Sequence, residues 1–363
     1  MNEQKKRMKR ILLIASMFGA MVSAGSASAQ DIHFSQFYEN AILRNPALTG
    51  IFSGDYKAGV NYRQQWSNIS VPFTTVLASA ESRILINRGV GDYLSFGVTA
   101  TYDKAGTINF NSLQVYPAIN YNKAIEDNHN TYLSVGFAGG YIQRSIDLSK
   151  ATFSTQYVGG SYDPANATME NINNTVIQNY DLSAGLSYNS SAGPNNQVTY
   201  YIGAAGFHVT KPKHAFNGSE TLIRLNTKYT ANAGFRWHIN EQYGLTGHFN
   251  YLTQNPYKET MLGAMVSWKN IQQYNAVPFT LYVGTFVRFK DAIIPTVKMD
   301  YKTYSVTVSY DVNTSKLRPA SEGMGGFEIS LFTRGVFNAS DAPGSQTRCP
   351  QFEQMLPSSL QYD

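Results

Sequence analysis

The feature that most constrains this chain is an alternation of apolar and polar side chains with a period of two, sustained through run after run of residues. From Tyr304 to Val312, Tyr304, Val306, Val308, Tyr310 and Val312 share one face, and Ser305, Thr307, Ser309 and Asp311 the other. From Phe279 to Lys290, Phe279, Leu281, Val283, Val287 and Phe289 oppose Thr280, Gly284, Arg288 and Lys290. Tyr229–Ile239 sets Ala231, Ala233, Phe235 and Trp237 against Asn232, Gly234, Arg236 and His238; Tyr243–Tyr251 repeats the pattern with Thr246, His248 and Asn250 on the polar side. Such a period belongs to an extended strand, whose successive side chains point to opposite faces.

About 14 such segments run along the chain, at residues 54–66, 72–87, 93–104, 108–125, 129–144, 175–190, 196–210, 223–239, 242–254, 257–270, 277–290, 291–301, 303–312 and 326–337. Most exceed the ~5–6 residues of a soluble strand and match the ~9–11 of a tilted membrane strand. Lys57, Arg63, Asp103, Arg144, Asp181, Arg236, Arg288, Lys298, Glu328 and Arg334 fall on the polar faces. Tyr62, Trp66, Tyr93, Tyr121, Trp237, Tyr257, Trp268 and Tyr301 sit near segment ends, where aromatic rings prefer the membrane interface. Charged residues are 15% of the chain against the usual quarter or so, and Tyr numbers 25. The expectation is therefore an all-β, outer-membrane antiparallel barrel of about 14 strands rather than a secreted sandwich or solenoid. Val283, Val306, Val308, Phe235 and Leu331 should face lipid. On this reading an arginine at Val308 costs about 2–4 kcal/mol, and one at Ser309 is better tolerated.

Connection lengths support the same architecture. The long connections, at about 145–174, 211–222 and 313–325, are all odd-numbered from the first strand and so share one side. Arg88-Gly89-Val90-Gly91, Glu126-Asp127-Asn128 and Asn240-Glu241 read as tight turns on the other side. Barrels of this class put short turns in the periplasm and long loops outside. Both ends of an even-stranded barrel then lie in the periplasm. The long outer loops, above all 145–174, are the expected partner-contact surface, because binding residues concentrate on loops held by rigid scaffolds.

The first residues read as a secretory signal peptide. Lys5, Lys6, Arg7, Lys9 and Arg10 precede an apolar stretch from Ile11 to Val22, and Ala27-Ser28-Ala29 forms a cleavage signal. The leader holds five of the 29 basic residues and one of the 24 acidic ones, which leaves 24 against 23. The high overall isoelectric point is thus mostly the leader's and gives no reason to expect nucleic acid. One cysteine, Cys349, excludes an internal disulfide. The expected layout is a signal peptide at 1–29, an N-terminal periplasmic or lumen segment at 30–53, a transmembrane barrel at 54–337 and a periplasmic tail at 338–363.

The stretch "DIHFSQFYENAILRNPALTG", Asp31–Gly50, precedes the first strand. Its rings Phe34, Phe37 and Tyr38 each carry a large apolar area, so they must pack into the lumen mouth or onto a partner. Asn45-Pro46 marks a turn. These residues, continued by "GDYKAGVNYRQQWSNISVPFTT", resemble the start of the PorP/SprF family of type IX secretion system membrane proteins; the last strand, "GGFEISL", is also similar. Phe34, Ser35, Gln36, Phe37, Asn45, Pro46, Ala47, Gly50, Asn61, Tyr62, Arg63, Gln65 and Trp66 carry the resemblance. It implies an outer-membrane component of the secretion and gliding machinery. Such a component supports export or surface attachment of adhesins with a type IX C-terminal signal domain, or joins periplasmic secretion-system components. It offers no catalytic residues and implies no cofactor.

Site expectations follow. Phe34, Gln36, Phe37, Tyr38, Asn45, Pro46, Arg63, Trp66, Cys349 and Phe352 are the candidate partner-binding residues. Arg63 points inward, toward either a lumen ion pair with the N-terminal segment or a partner. The six histidines form no close metal spacing; His238 and His248 fall on neighbouring polar faces, suited to lumen hydrogen bonds. The tail holds Pro343, Gly344, Pro350 and Pro357 with Phe352, Met355 and Leu356, a pattern for an extended docking segment. A channel for small hydrophobic or polar solutes is the alternative function, separable by a flux measurement.

Overall fold

The computed structural model describes residues 31–337 apart from 67–70, 88–90, 127–129, 170–171, 173, 214–215, 217–223, 271–278 and 317. The leader and the tail with Cys349 and Phe352 lie outside the described residues. Within them the chain forms β1 Tyr56–Gln65, β2 Phe73–Asn87, β3 Asp92–Ala105, β4 Phe110–Glu126, β5 Thr131–Ser145, β6 Tyr157–Val158, β7 Ser161–Tyr162 and β8 Val176–Ala192. It continues with β9 Val198–Phe207, β10 Lys228–His238, β11 Tyr243–Gln254, β12 Tyr257–Lys269, β13 Phe279–Arg288, β14 Ala292–Tyr301, β15 Tyr304–Asn313 and β16 Met324–Gly335. All except β6 and β7 join one closed antiparallel barrel, ordered β1-β16-β15-β14-β13-β12-β11-β10-β9-β8-β5-β4-β3-β2. The 14 strands match the expected ones. The seam pairs β1 with β16 in unbroken register from Tyr56↔Gly335 to Gln65↔Gly326. Closure leaves no strand edge unpaired, which is what lets a sheet cross a bilayer.

The alternation separates the two faces of the wall. Val283, Phe235, Val308 and Leu331 are exposed on the outer face, while Arg63, Asp181, Arg288, Lys298 and Glu328 are buried inside. Tyr62, Tyr121, Trp237, Trp268 and Tyr301 lie on the outer face near strand ends. Tyr93 and Tyr257 do not join that outer belt. Tyr93 is 1% exposed and packs edge-on against Tyr132 inside the barrel, with ring centroids 5.6 Å apart. Tyr257 donates its hydroxyl to Glu259 at 2.8 Å on the inner face. Parity, not position near a strand end, decides which way such a ring points.

The two ends of the barrel differ. Connections 146–175, 208–227 and 314–323 share one end, here the long-loop end. The second is longer than the expected 211–222; at its start His208 leaves the strand with φ +57° and turns its ring inward, where Nδ1 meets Asp181 at 2.7 Å. The other end carries short turns, save for the connection at 270–278.

Candidate functional site

The interior is occupied by the chain's own beginning. Three short helical turns, Phe37–Glu39, Ala41–Arg44 and Pro46–Leu48, pack inside the wall. This segment does not stop at the short-turn mouth. Ser35 bonds to Arg63, Arg288 and Asp311, each within two residues of its strand's long-loop end. At the other end of the segment, the Asp55 N–H donates to the Gly335 carbonyl at the short-turn end of the seam. The segment therefore passes through the lumen toward the start of β1.

At the long-loop half the contacts are ionic. Glu328 pairs with Arg63 at 2.9 Å, Asp311 pairs with Arg63 at 2.9 Å and with Arg288 at 3.2 Å. Ser35 sits among them. Its hydroxyl donates to Asp311 at 2.5 Å and accepts from Arg63 and, at 2.7 Å, from Arg288. Glu328 also accepts the backbone N–H groups of Ser35 at 2.7 Å and Gln36 at 3.0 Å, and the Asn61 amide at 2.8 Å. Gln36 donates to Ser309 Oγ at 3.1 Å and the Glu328 carbonyl at 3.0 Å, and accepts from Ser330 at 2.6 Å. One step on, Glu39 is held between Lys298 at 2.7 Å and Lys57 at 3.5 Å. Every one of these charges is nearly fully buried, so the pairing offsets a desolvation cost that lone charges could not bear.

Apolar contacts fix the next residues. The Tyr38 ring stacks on His248 at 5.0 Å and on Phe286 at 4.9 Å, and Phe37 meets Phe286 edge-on. Met261, Met265, Tyr282 and Ile294 complete this cluster from β12, β13 and β14. On the opposite side Ile42 packs with Tyr116, Ala118, Ala138 and Ile142 of β4 and β5.

Asn45, Pro46 and Ala47 lie against bare backbone. Asn45 Nδ2 donates to the Leu186 carbonyl at 3.0 Å, and its Oδ1 accepts the Ala47 N–H at 2.9 Å, capping the last turn. Gly136, Gly185 and Gly203 supply the room: a Cβ at Gly136 would lie 2.3 Å from Ala47 N, and one at Gly185 2.0 Å from Asn45 Oδ1. Asn120 then donates to the Ala47 and Thr49 carbonyls at 3.0 and 2.8 Å. Arg44 donates to the Tyr201 hydroxyl at 2.6 Å.

Of the ten candidate residues, Phe34, Gln36, Phe37, Tyr38, Asn45, Pro46 and Arg63 come together in this one interior site. Trp66 stands apart at the end of β1, packed edge-on against Phe73 with its backbone N–H on the Gly325 carbonyl. Residues not singled out from the sequence include Glu39, Arg44, Asn120 and the three seat glycines. Outside the lumen, the long loop 146–175 carries the ribbon β6–β7, turned at Gly159 and Gly160, both with positive φ. Tyr157, Val158 and Tyr162 are exposed on it.

Residues 26–332 match the model of the family described as type IX secretion system membrane protein PorP/SprF. No curated protein sequence matches the chain. Among solved structures it is similar to CdiB from Acinetobacter baumannii, with 8% identity, a TM-score of 0.40, and coverage of 77% of this chain and 60% of that one. A Pseudomonas aeruginosa FadL homologue gives 12% identity, TM-score 0.44, and 80% and 92% coverage. The CymD monoaromatic hydrocarbon channel gives 10% identity, TM-score 0.46, and 81% and 92% coverage. At such identities the likeness concerns the fold alone.

Proposed function

Because the chain belongs to the PorP/SprF family of type IX secretion system membrane proteins, and so is an outer-membrane component of that machinery, we propose that it supports export or surface attachment of adhesins bearing a type IX C-terminal signal domain. The family match over 26–332 is the observation that carries this reading. The long-loop end is the face offered to the adhesin, with Tyr157, Val158 and Tyr162 as apolar anchors. Phe34, Gln36, Phe37, Tyr38, Asn45, Pro46 and Arg63 serve partner binding indirectly, by holding the lumen segment in place. Trp66 at the rim, and Cys349 and Phe352 in the tail, touch partners directly. The tail engages periplasmic secretion-system components.

The test is removal of the chain from cells that otherwise keep the whole machinery. One adhesin with the signal domain should disappear from the cell surface, while unrelated cargo is still exported. Unchanged surface display of every such adhesin would refute the reading. A solute channel is less well supported, since the lumen segment fills the path a solute would take.

A further inference from the structure

Between the lumen segment and the short-turn mouth lies a cavity of about 60 Å³. Its wall is unusually basic. Arg44, Lys57, Arg236, Lys298 and Arg334 line it against only Glu81 and Asp300. Four of the five cations are engaged. Arg44 bonds to Tyr201, Lys57 and Lys298 pair with Glu39, and Arg334 pairs with Asp300 at 2.9 Å. Arg236, on the inner face of β10, is 5% exposed, and among the described residues no carboxylate pairs with it and no acceptor bonds to its guanidinium. Tyr38 also lines the cavity, and its hydroxyl lacks a hydrogen-bond partner among the described residues. A guanidinium so deeply buried is costly to leave uncompensated. Its planar fork of donors matches a carboxylate or a phosphate.

We propose that this cavity is an oxyanion site, in which Arg236 receives a carboxylate or phosphate group entering from the short-turn mouth. Lys57, Lys298 and Arg334 surround the group with positive charge, and their own carboxylate partners keep them in place. The site is separate from the long-loop rim assigned to adhesin contact.

The test uses the full chain folded in detergent micelles. Inorganic phosphate and acetate are titrated separately at constant ionic strength, with chloride as the replaced ion, and the midpoint of thermal unfolding is read. A saturable rise with at least one of them is expected. Phosphate alone would identify a phosphate-bearing source, acetate alone a peptide carboxylate. In Arg236→Gln the apparent affinity should fall about tenfold or more, the loss of charge-assisted hydrogen bonds. Arg236→Lys, which keeps the charge and loses the fork, should fall in between. Without added anion, Arg236→Gln should be at least as stable as the parent, because it removes an uncompensated charge. Lys123→Gln, on the exposed side chain that pairs with Asp92, should bind like the parent. The proposal is overturned if neither anion gives a saturable shift, if Arg236→Gln responds like the parent, or if that variant unfolds more readily in chloride alone.

Discussion

The side-chain oxygen of Asn45 occupies the space a side chain at Gly185 would need: a Cβ there would come within 2.0 Å of Oδ1. Gly185→Ala therefore cannot coexist with the seated Asn45. Gly136→Ala is blocked more firmly, because its Cβ would meet the backbone of Pro46 and Ala47 at 2.3 Å. Both variants should fold as barrels yet leave residues 32–53 open to protease. Gly139→Ala, on the same strand β5 with nothing within 4 Å, is the control and should leave the segment protected. Equal protection in all three would show that the seat is not set by these glycines.

Glu328 gathers the largest share of contacts between the wall and the segment. Glu328→Gln leaves Arg63 with Asp311 but removes the charge facing the Ser35 and Gln36 N–H groups. Breaking a buried pair of this kind costs about 3–5 kcal/mol. The expected result is a lower thermal midpoint and weaker protection of residues 32–53. A companion Ser35→Ala should add little once Glu328 is changed, since both act on one network.

Val308 and Ser309 are neighbours on opposite faces, and arginine should damage each in its own way. Val308→Arg places charge against lipid and should cost about 2–4 kcal/mol of folding stability in bilayers. Ser309→Arg was expected from the alternation to be the milder change. In the folded protein Ser309 is 2% exposed and receives the Gln36 amide, so a long side chain there must push Gln36 out. It should spare insertion and expose the segment to protease, which a comparison of bilayer folding with proteolysis can read.

The lumen segment also bears on permeation. Liposomes containing the full chain should take up little small solute, while a variant lacking residues 32–53 but folded as a barrel should leak. Fast uptake by the full chain would favour the channel reading.

Replacing loop residues 150–166 by a short Gly–Ser link should leave the barrel folded, because the barrel pairing of β5 with β8 begins beyond it at Ser145↔Val176. Adhesin capture by pull-down should be lost. Tyr157→Ser with Val158→Ser should reproduce part of the loss. Undiminished capture would move the contact to another loop.

The wall was legible because one local rule, parity, sorts each strand's residues into lipid-facing and lumen-facing sets without knowledge of any partner. The same rule concealed the interior. Met261, Met265, Phe286 and Ile294 look out of place on a polar face until Phe37 and Tyr38 are laid against them. Tyr93 was misplaced because its position near a strand end suggested the interface, while its parity pointed it inward. The ionic seat could not be read at all. Ser35 and Asp311 are 276 residues apart, and nothing in either neighbourhood names the other. Gly136, Gly185 and Gly203 carry no local sign that distinguishes a close backbone approach from an ordinary strand glycine.

The placement of Ser35 has a consequence for the order of assembly. Its bonding partners come from β1, β13, β15 and β16, so its pocket does not exist until the earliest strand and the latest lie side by side. The residues made first among those described must wait for the residues made last before they can settle. A half-inserted sheet has nowhere to lodge them. Burial of Ser35 is thus a marker of seam closure, and an assembly intermediate should be recognisable by a protease-sensitive beginning on a chain whose strands are already membrane-protected.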